Sequence, residues 1–327
     1  MSKAKAPQPA PQPASQTPPQ PAPRSRFYRA WDSDIAYSFR SSPMAIVAGA
    51  TALLIIAMAV MAPWIAPFNP YDPSSLNLMD GFTPPMEPNA FTGNTYWLGT
   101  DNQGRDVFST ILYGARISLF VGFMAVLFAM VLGITAGLVA GYRGGWVDSF
   151  LMRVADVQLS FPSILIALLI FGVARGFIPP AYRETMAIWV LIVAIGLSDW
   201  VQYARVVRGA TMVEKNKEYV QAARVIGAHP VKILVRHILP NVMGPVLVIA
   251  TIGLALAIIA EATLSFLGVG VPPTQPSLGT LIRIGQQYLF SGEWWILLFP
   301  ALTLLALALA VNLLGDWLRD ALNPRLR

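Results

Sequence analysis

The chain has no cysteine, only two histidines and little charge: 12% of its 327 residues are Asp, Glu, Lys or Arg. The missing cysteines exclude a disulfide framework and thiol chemistry. The two histidines, His229 and His237, lie in one short segment without the further ligands a metal would need. A soluble domain normally carries about 25% charge. With half that density and 55% hydrophobic residues, the chain cannot cover a water-facing surface, and the bilayer becomes its expected solvent. No GxxxxGK[ST] phosphate loop is present, and the glycines Gly141, Gly144 and Gly145 of GYRGG lack its lysine and preceding strand. They read as a turn. No Ser/His/Asp constellation is recognisable either, so catalysis by this chain is not expected.

Of 27 prolines, eight fall within the first 23 residues. Residues 1–26 are expected to form a disordered, partly polyproline tail with no apolar face, and no signal-peptide pattern opens it. Residues 27–43 form a juxtamembrane segment. The rest, 44–327, reads as one membrane domain.

Six apolar runs nearly free of charge mark membrane spans: Met44–Ala62, Ile117–Ala140, Leu159–Ala174 (behind Pro162), Met186–Tyr203, Val242–Ala260 and Trp294–Leu314. Each approaches the ~20 residues a helix needs to cross the hydrocarbon. Six spans put both termini on one side. If that side is cytoplasmic, the tail, the 2–3 link, the 4–5 link and the C-terminus together hold 18 Lys and Arg, against five on the other side. The positive-inside asymmetry therefore places both ends in the cytoplasm. Asp199 and Glu261 fall at expected span ends within reach of water. Trp294 and Trp295 read as interfacial anchors, and the span-two glycines as helix-packing positions. The outer loop 261–293 is expected to hold a short helix near Leu278–Tyr288.

The link between spans four and five is too polar to span and too patterned to be loose. Tyr219, Ala222, Ala223 and Ile226 recur at i, i+3, i+4 and i+7, giving a short amphipathic helix. Gly227 follows, where a left-handed cap favours glycine. Pro230 can open a second helix, which Leu239-Pro240 ends as span five begins. The expected architecture is an all-α membrane protein with six transmembrane helices and a cytoplasmic helix-turn-helix within coupling segment 204–240. Its basic residues suit lipid phosphates or an acidic cleft on a protein partner, not nucleic acid. On the outer side, Asp101, Asn102 and Gly104 favour a turn. Val107, Phe108, Ile111, Leu112 and Ala115 then suggest a helix lying at the outer interface, with Arg105 and Asp106 holding the loop.

The 218–241 stretch, EYVQAARVIGAHPVKILVRHILPN, resembles the EAA motif of ABC importer permeases: Glu-Ala-Ala, three residues, Gly, nine residues, Ile, one residue, Leu-Pro. Ala222, Ala223, Gly227, Leu239 and Pro240 match. Gln221 replaces the acidic residue and His237 the Ile, so docking by shape is retained without that charge. Residues 97–122, WLGTDNQGRDVFSTILYGARISLFVG, and 261–282, EATLSFLGVGVPPTQPSLGTLI, are similar to segments of the dipeptide/oligopeptide/nickel permease group, in its second-permease (DppC/OppC-like) type. The resemblance implies a type I importer fold working with a second homologous permease, two ABC ATPases that carry the ATP and Mg, and an outer solute-binding protein. It implies ATPase coupling for Tyr219, Gln221, Ala222, Ala223, Gly227, His237, Leu239 and Pro240. It also marks Gly99, Asp101, Gly104, Arg105, Asp106 and Glu261 as outer-loop motif positions. Peptides are the expected cargo, with nickel, glutathione or another small solute as alternatives. A stand-alone channel or ion-coupled carrier is the competing class, and such carriers keep ionisable groups at mid-membrane.

Overall fold

A computed structural model describes residues 34–72 and 76–321. The Pro-rich tail lies outside the described residues. Ser42 caps α2 (Pro43–Val60) by accepting from the Ala45 N–H at 3.3 Å, and Pro43 occupies the first turn, where a missing N–H costs nothing. A short amphipathic α1 (Asp34–Ser41) precedes it and sets Phe39 edge-on to Trp317, ring centroids 5.0 Å apart. The remaining principal helices are α3 (Val107–Arg143), α4 (Gly145–Leu159), α5 (Ser163–Phe177), α6 (Arg183–Glu214), α7 (Glu218–Val225), α8 (Pro230–Phe266), α9 (Leu278–Tyr288) and α10 (Trp295–Ala321).

Five helices (α2, α3, α6, α8 and α10) are long and apolar enough to cross a membrane, and α4 with α5 supplies a sixth span if the bent pair counts as one. The third apolar run is thus not a single span from Leu159. Its helix begins at Ser163 and meets α4 at 97°. Pro162 explains the break, since it disfavours helical geometry at Phe161 and has no N–H to continue the ladder.

Span two also differs from expectation. Val107–Ala115 is not a separate interfacial helix but the first turns of α3, whose 37 residues reach about 55 Å, well beyond the ~30 Å hydrocarbon. The apolar face made by Val107, Ile111 and Ala115 packs on Leu278 and Leu281 of α9 and on Trp295 and Ile296 of α10. An amphipathic pattern reports a buried stripe without saying whether lipid or protein buries it.

The centre of the fold is the α3–α6 pair. Gly133, Gly137 and Gly141 of α3 recur every four residues and face α6, as expected for small residues that let helix backbones approach. A methyl group added to Gly137 would lie 2.5 Å from the Ala204 carbonyl oxygen, and one on Gly133 would lie 2.6 Å from that of Trp200. Gly137→Ala should therefore force the backbones apart and cost about 2 kcal/mol, in the range for overpacked cores. Thermal unfolding of the purified variant in detergent checks this, and an unchanged midpoint contradicts it. From α6, Arg208 makes a two-pronged ion pair with Asp148 of α4, and Arg205 meets Asp156 of the same helix at 2.6 Å.

Candidate functional site: the coupling elbow and the outer clasp

Beyond α6 the chain turns through Lys215–Lys217 into α7, whose eight residues lie against the base of the bundle. Its buried side is Val220 and Ala223, packed with Ile233, Ile238 and Val242. Ala223 is inside, but Tyr219, Ala222 and Ile226 are exposed. The i, i+3, i+4, i+7 series thus marks a face left largely open.

Gly227 has φ +80°. The Ala228 N–H donates to the Ala223 carbonyl and the Gly227 N–H to that of Arg224, each at 3.0 Å. These two bonds are the Schellman closure, which demands a left-handed residue at that point. No atom lies within 4 Å of where a Cβ would be, so conformation rather than space requires glycine. Around this turn Val225 and Ile226 are 88% and 83% exposed, and Gln221, Ala222 and Arg224 are exposed beside them. The elbow is an apolar knob flanked by cations.

The knob is tied to the bundle on three sides. The Tyr219 hydroxyl donates to the Glu214 carboxylate at the end of α6 and accepts from Asn241 Nδ2 at 3.1 Å near the foot of span five. Burial, then the Glu214 contact, push this phenol up to about 12, so it remains a neutral donor at physiological pH. Gln221 Nε2 donates to the Lys215 carbonyl at 3.1 Å. Lys215 Nζ donates to the Gly141 carbonyl at 2.7 Å, and the Arg224 guanidinium sits 4.9 Å from the centre of the Tyr142 ring. Gln221 in the acidic position therefore serves the internal lacing of the elbow. Tyr219→Phe removes the bridge between α6 and α8. It should lower coupled uptake severalfold while leaving membrane insertion intact, and equal uptake by variant and parent counts against the bridge.

Leu239-Pro240 does not end a helix, contrary to expectation. Residues 230–266 form one continuous rod, with a π turn over Leu234–Ile238. A proline inside a regular α-helix would press on the carbonyl four residues back, here that of Arg236. The wider turn accommodates it, and the Leu239 N–H reaches back five residues to the Leu234 carbonyl. His237 lies on this turn. Its carbonyl accepts from Asn241 Nδ2 at 2.7 Å, and its Nδ1 is buried with no hydrogen-bond partner among the described residues.

At the opposite end, residues 66–72 and 76–106 fold into a compact outer clasp. Asp101 and Arg105 form a buried ion pair at 2.6 Å, their side chains 3% and 4% exposed. The Asp101 carboxylate also accepts from the Gln103 and Arg105 N–H groups at 2.8 and 3.0 Å. Asp106 caps α3, accepting from the Ser109 N–H and hydroxyl at 2.9 and 2.5 Å. Burial raises its carboxyl above the usual range, against the pull of the Ser109 bonds. Gly104 (φ +73°) has room for no side chain, since a Cβ would lie 2.2 Å from the Asn77 carbonyl oxygen. Gly99 (φ +77°) sits against Trp295. Trp295 is buried, not an interfacial anchor, and its indole N–H donates to the Thr100 carbonyl at 3.0 Å. Sequence reasoning singled out this tryptophan but gave it the wrong role. It also missed Asp80, a buried hub accepting from Thr92, Asn94 (3.2 Å) and Tyr96 (2.9 Å). No local pattern distinguishes a hub aspartate from a solvated one.

Glu261 is not part of this clasp. It lies fully buried in α8, and Ser265 Oγ donates to its Oε1 at 2.7 Å. Water does not reach it as expected. Asp199 differs too: it stands halfway along α6, partly buried, beside Tyr203 and Gly253. A mid-helix carboxylate is therefore present, and its expected absence no longer counts against an ion-coupled carrier.

The spans are laced at one end by an elbow with an exposed knob and at the other by a clasp. Residues 133–327 match the family described as binding-protein-dependent transport system inner membrane component, and residues 29–85 match the N-terminal TM domain of oligopeptide transport permease C. The chain belongs to this family of ABC importer permeases. It is 35% identical over 313 residues to the dipeptide transport system permease protein DppC of Haemophilus influenzae, covering 95% of this chain and 99% of that one. It is 38% identical over 294 residues to the oligopeptide transport system permease protein OppC of Bacillus subtilis, covering 90% of each. The glutathione transport system permease protein GsiD of Pectobacterium atrosepticum is 37% identical over 292 residues, 88% of this chain and 89% of that one. Among solved structures, a chain of the inward-facing MetNI methionine ABC transporter superposes with TM-score 0.50 at 21% identity, covering 65% of this chain and 96% of that chain. That likeness speaks for the fold alone.

Proposed function

We propose that this chain is the passive gate of an ATP-driven importer of di- and oligopeptides. Its expected company is a second homologous permease, two ABC ATPases and a solute-binding protein on the outer side. ATP and Mg belong to the ATPases, and the chain itself performs no catalysis. The observation that carries the reading is the elbow: a glycine-locked turn with exposed Val225 and Ile226, rigidly laced to spans two, four and five. An ATPase gripping that knob moves the feet of these spans together. The cation excess on the elbow side supports cytoplasmic termini and a cytoplasmic elbow. Peptide cargo is favoured by the names of the dipeptide and oligopeptide relatives, while the glutathione relative keeps that solute as the second cargo. Reconstitution in liposomes tests the reading. The chain with all its partners should accumulate dipeptide when ATP is supplied on the elbow side. Uphill uptake by the chain alone would refute it.

A further inference from the structure

A cleft of about 710 Å³ opens in the outer half of the bundle between α2, α3, α6 and α8. Its lining is mostly apolar, with Ile56, Phe120, Phe123 and Leu254. At its outer rim stands Arg116, exposed and forming no ion pair or hydrogen bond among the described residues. Beside it the Tyr71 hydroxyl is buried with no hydrogen-bond partner there, and its ring meets Tyr113 edge-on at 5.0 Å. A buried hydroxyl without a partner carries a penalty that a ligand can relieve. Burial holds this phenol well above its ordinary range, so it is a neutral donor suited to an anion.

A single unpaired guanidinium with a free hydroxyl donor, set over an apolar trough, fits an anionic head on an apolar body. We propose that this cleft is a carboxylate subsite: Arg116, aided by Tyr71, receives the C-terminal carboxylate of a peptide entering from the outer side, and the trough takes its apolar side chains. The carboxylate is the group every linear peptide shares, so such a subsite is indifferent to sequence. The assignment rests on the peptide-importer reading and on the orientation given above. A phospholipid presents related chemistry, a phosphate over an acyl chain, and is the competing source of the anion.

The test uses the complete transporter complex, without binding protein, and the dipeptide Leu-Phe beside its C-terminal amide. Saturation-transfer NMR should show the free acid binding about tenfold more tightly than the amide. Arg116→Gln should abolish that preference, Arg116→Lys should restore part of it, and Tyr71→Phe should reduce it. Equal binding of acid and amide to the parent complex, or an unchanged preference in Arg116→Gln, overturns the site. So does loss of a co-purifying phospholipid in Arg116→Gln, seen by native mass spectrometry, with the dipeptide preference unaltered. Uptake is read separately, with binding protein and ATP. A complex that keeps the acid preference yet accumulates no dipeptide refutes the peptide-importer reading and leaves the carboxylate site standing.

Discussion

Gly227→Val is expected to insert in the membrane normally and to lose at least tenfold in coupled uptake. Gly227 has φ +80°, where a branched Cβ collides with the backbone and costs about 1–2 kcal/mol or more. The open space around it means no neighbouring atom adds to the penalty. The strain is relieved only by opening the Schellman closure, which re-aims Val225 and Ile226 relative to α8. A knob that points elsewhere cannot fill the same groove, although the six spans remain intact. Gly227→Asn is the control, since asparagine tolerates the left-handed region and should retain most activity. Uptake and ATPase co-purification are the measurements. Parental values for both in the valine variant would exclude the elbow as the lever.

Arg105→Met is expected to loosen the outer clasp by roughly 3 kcal/mol. The Asp101–Arg105 pair is nearly devoid of solvent, and removing one member of a buried pair typically costs 3–5 kcal/mol because the other charge is stranded. The two N–H bonds that Asp101 retains set the expectation at the low end. The consequence is local: residues 66–106 should become open to protease from the outer side while the spans stay protected. The double variant Arg105→Met with Asp101→Leu should recover part of the loss, because no buried charge is left alone. Equal protease resistance in parent and Arg105→Met would show that the clasp does not depend on the pair.

Five of the six apolar runs, the α9 helix at Leu278–Tyr288 and the glycine turn at Gly227 were legible in the sequence, because each has a local cause: hydrophobic length, amphipathic period or a required positive φ. The misreadings have a common origin in tertiary context. Val107–Ala115 has the pattern of an interfacial helix, but the stripe faces α9 and α10 rather than lipid. Glu261 has no sequence neighbour that announces its burial, and Ser265, which donates to it, becomes a partner only when α8 is wound. The π turn is equally hidden, since Leu239-Pro240 reads as a stop until the widened backbone before it is seen.

The clasp has a mechanical corollary. Trp295 fastens the Thr100 strap to the mouth of the sixth crossing, and Asp106 fastens the same strap to the second. Those two crossings are pinned at their outer tips, so they should travel as one plate. An entrance on that side would then be cut between this plate and whatever stands opposite it, and a disulfide stapling the strap to the sixth crossing should leave passage of cargo unhindered.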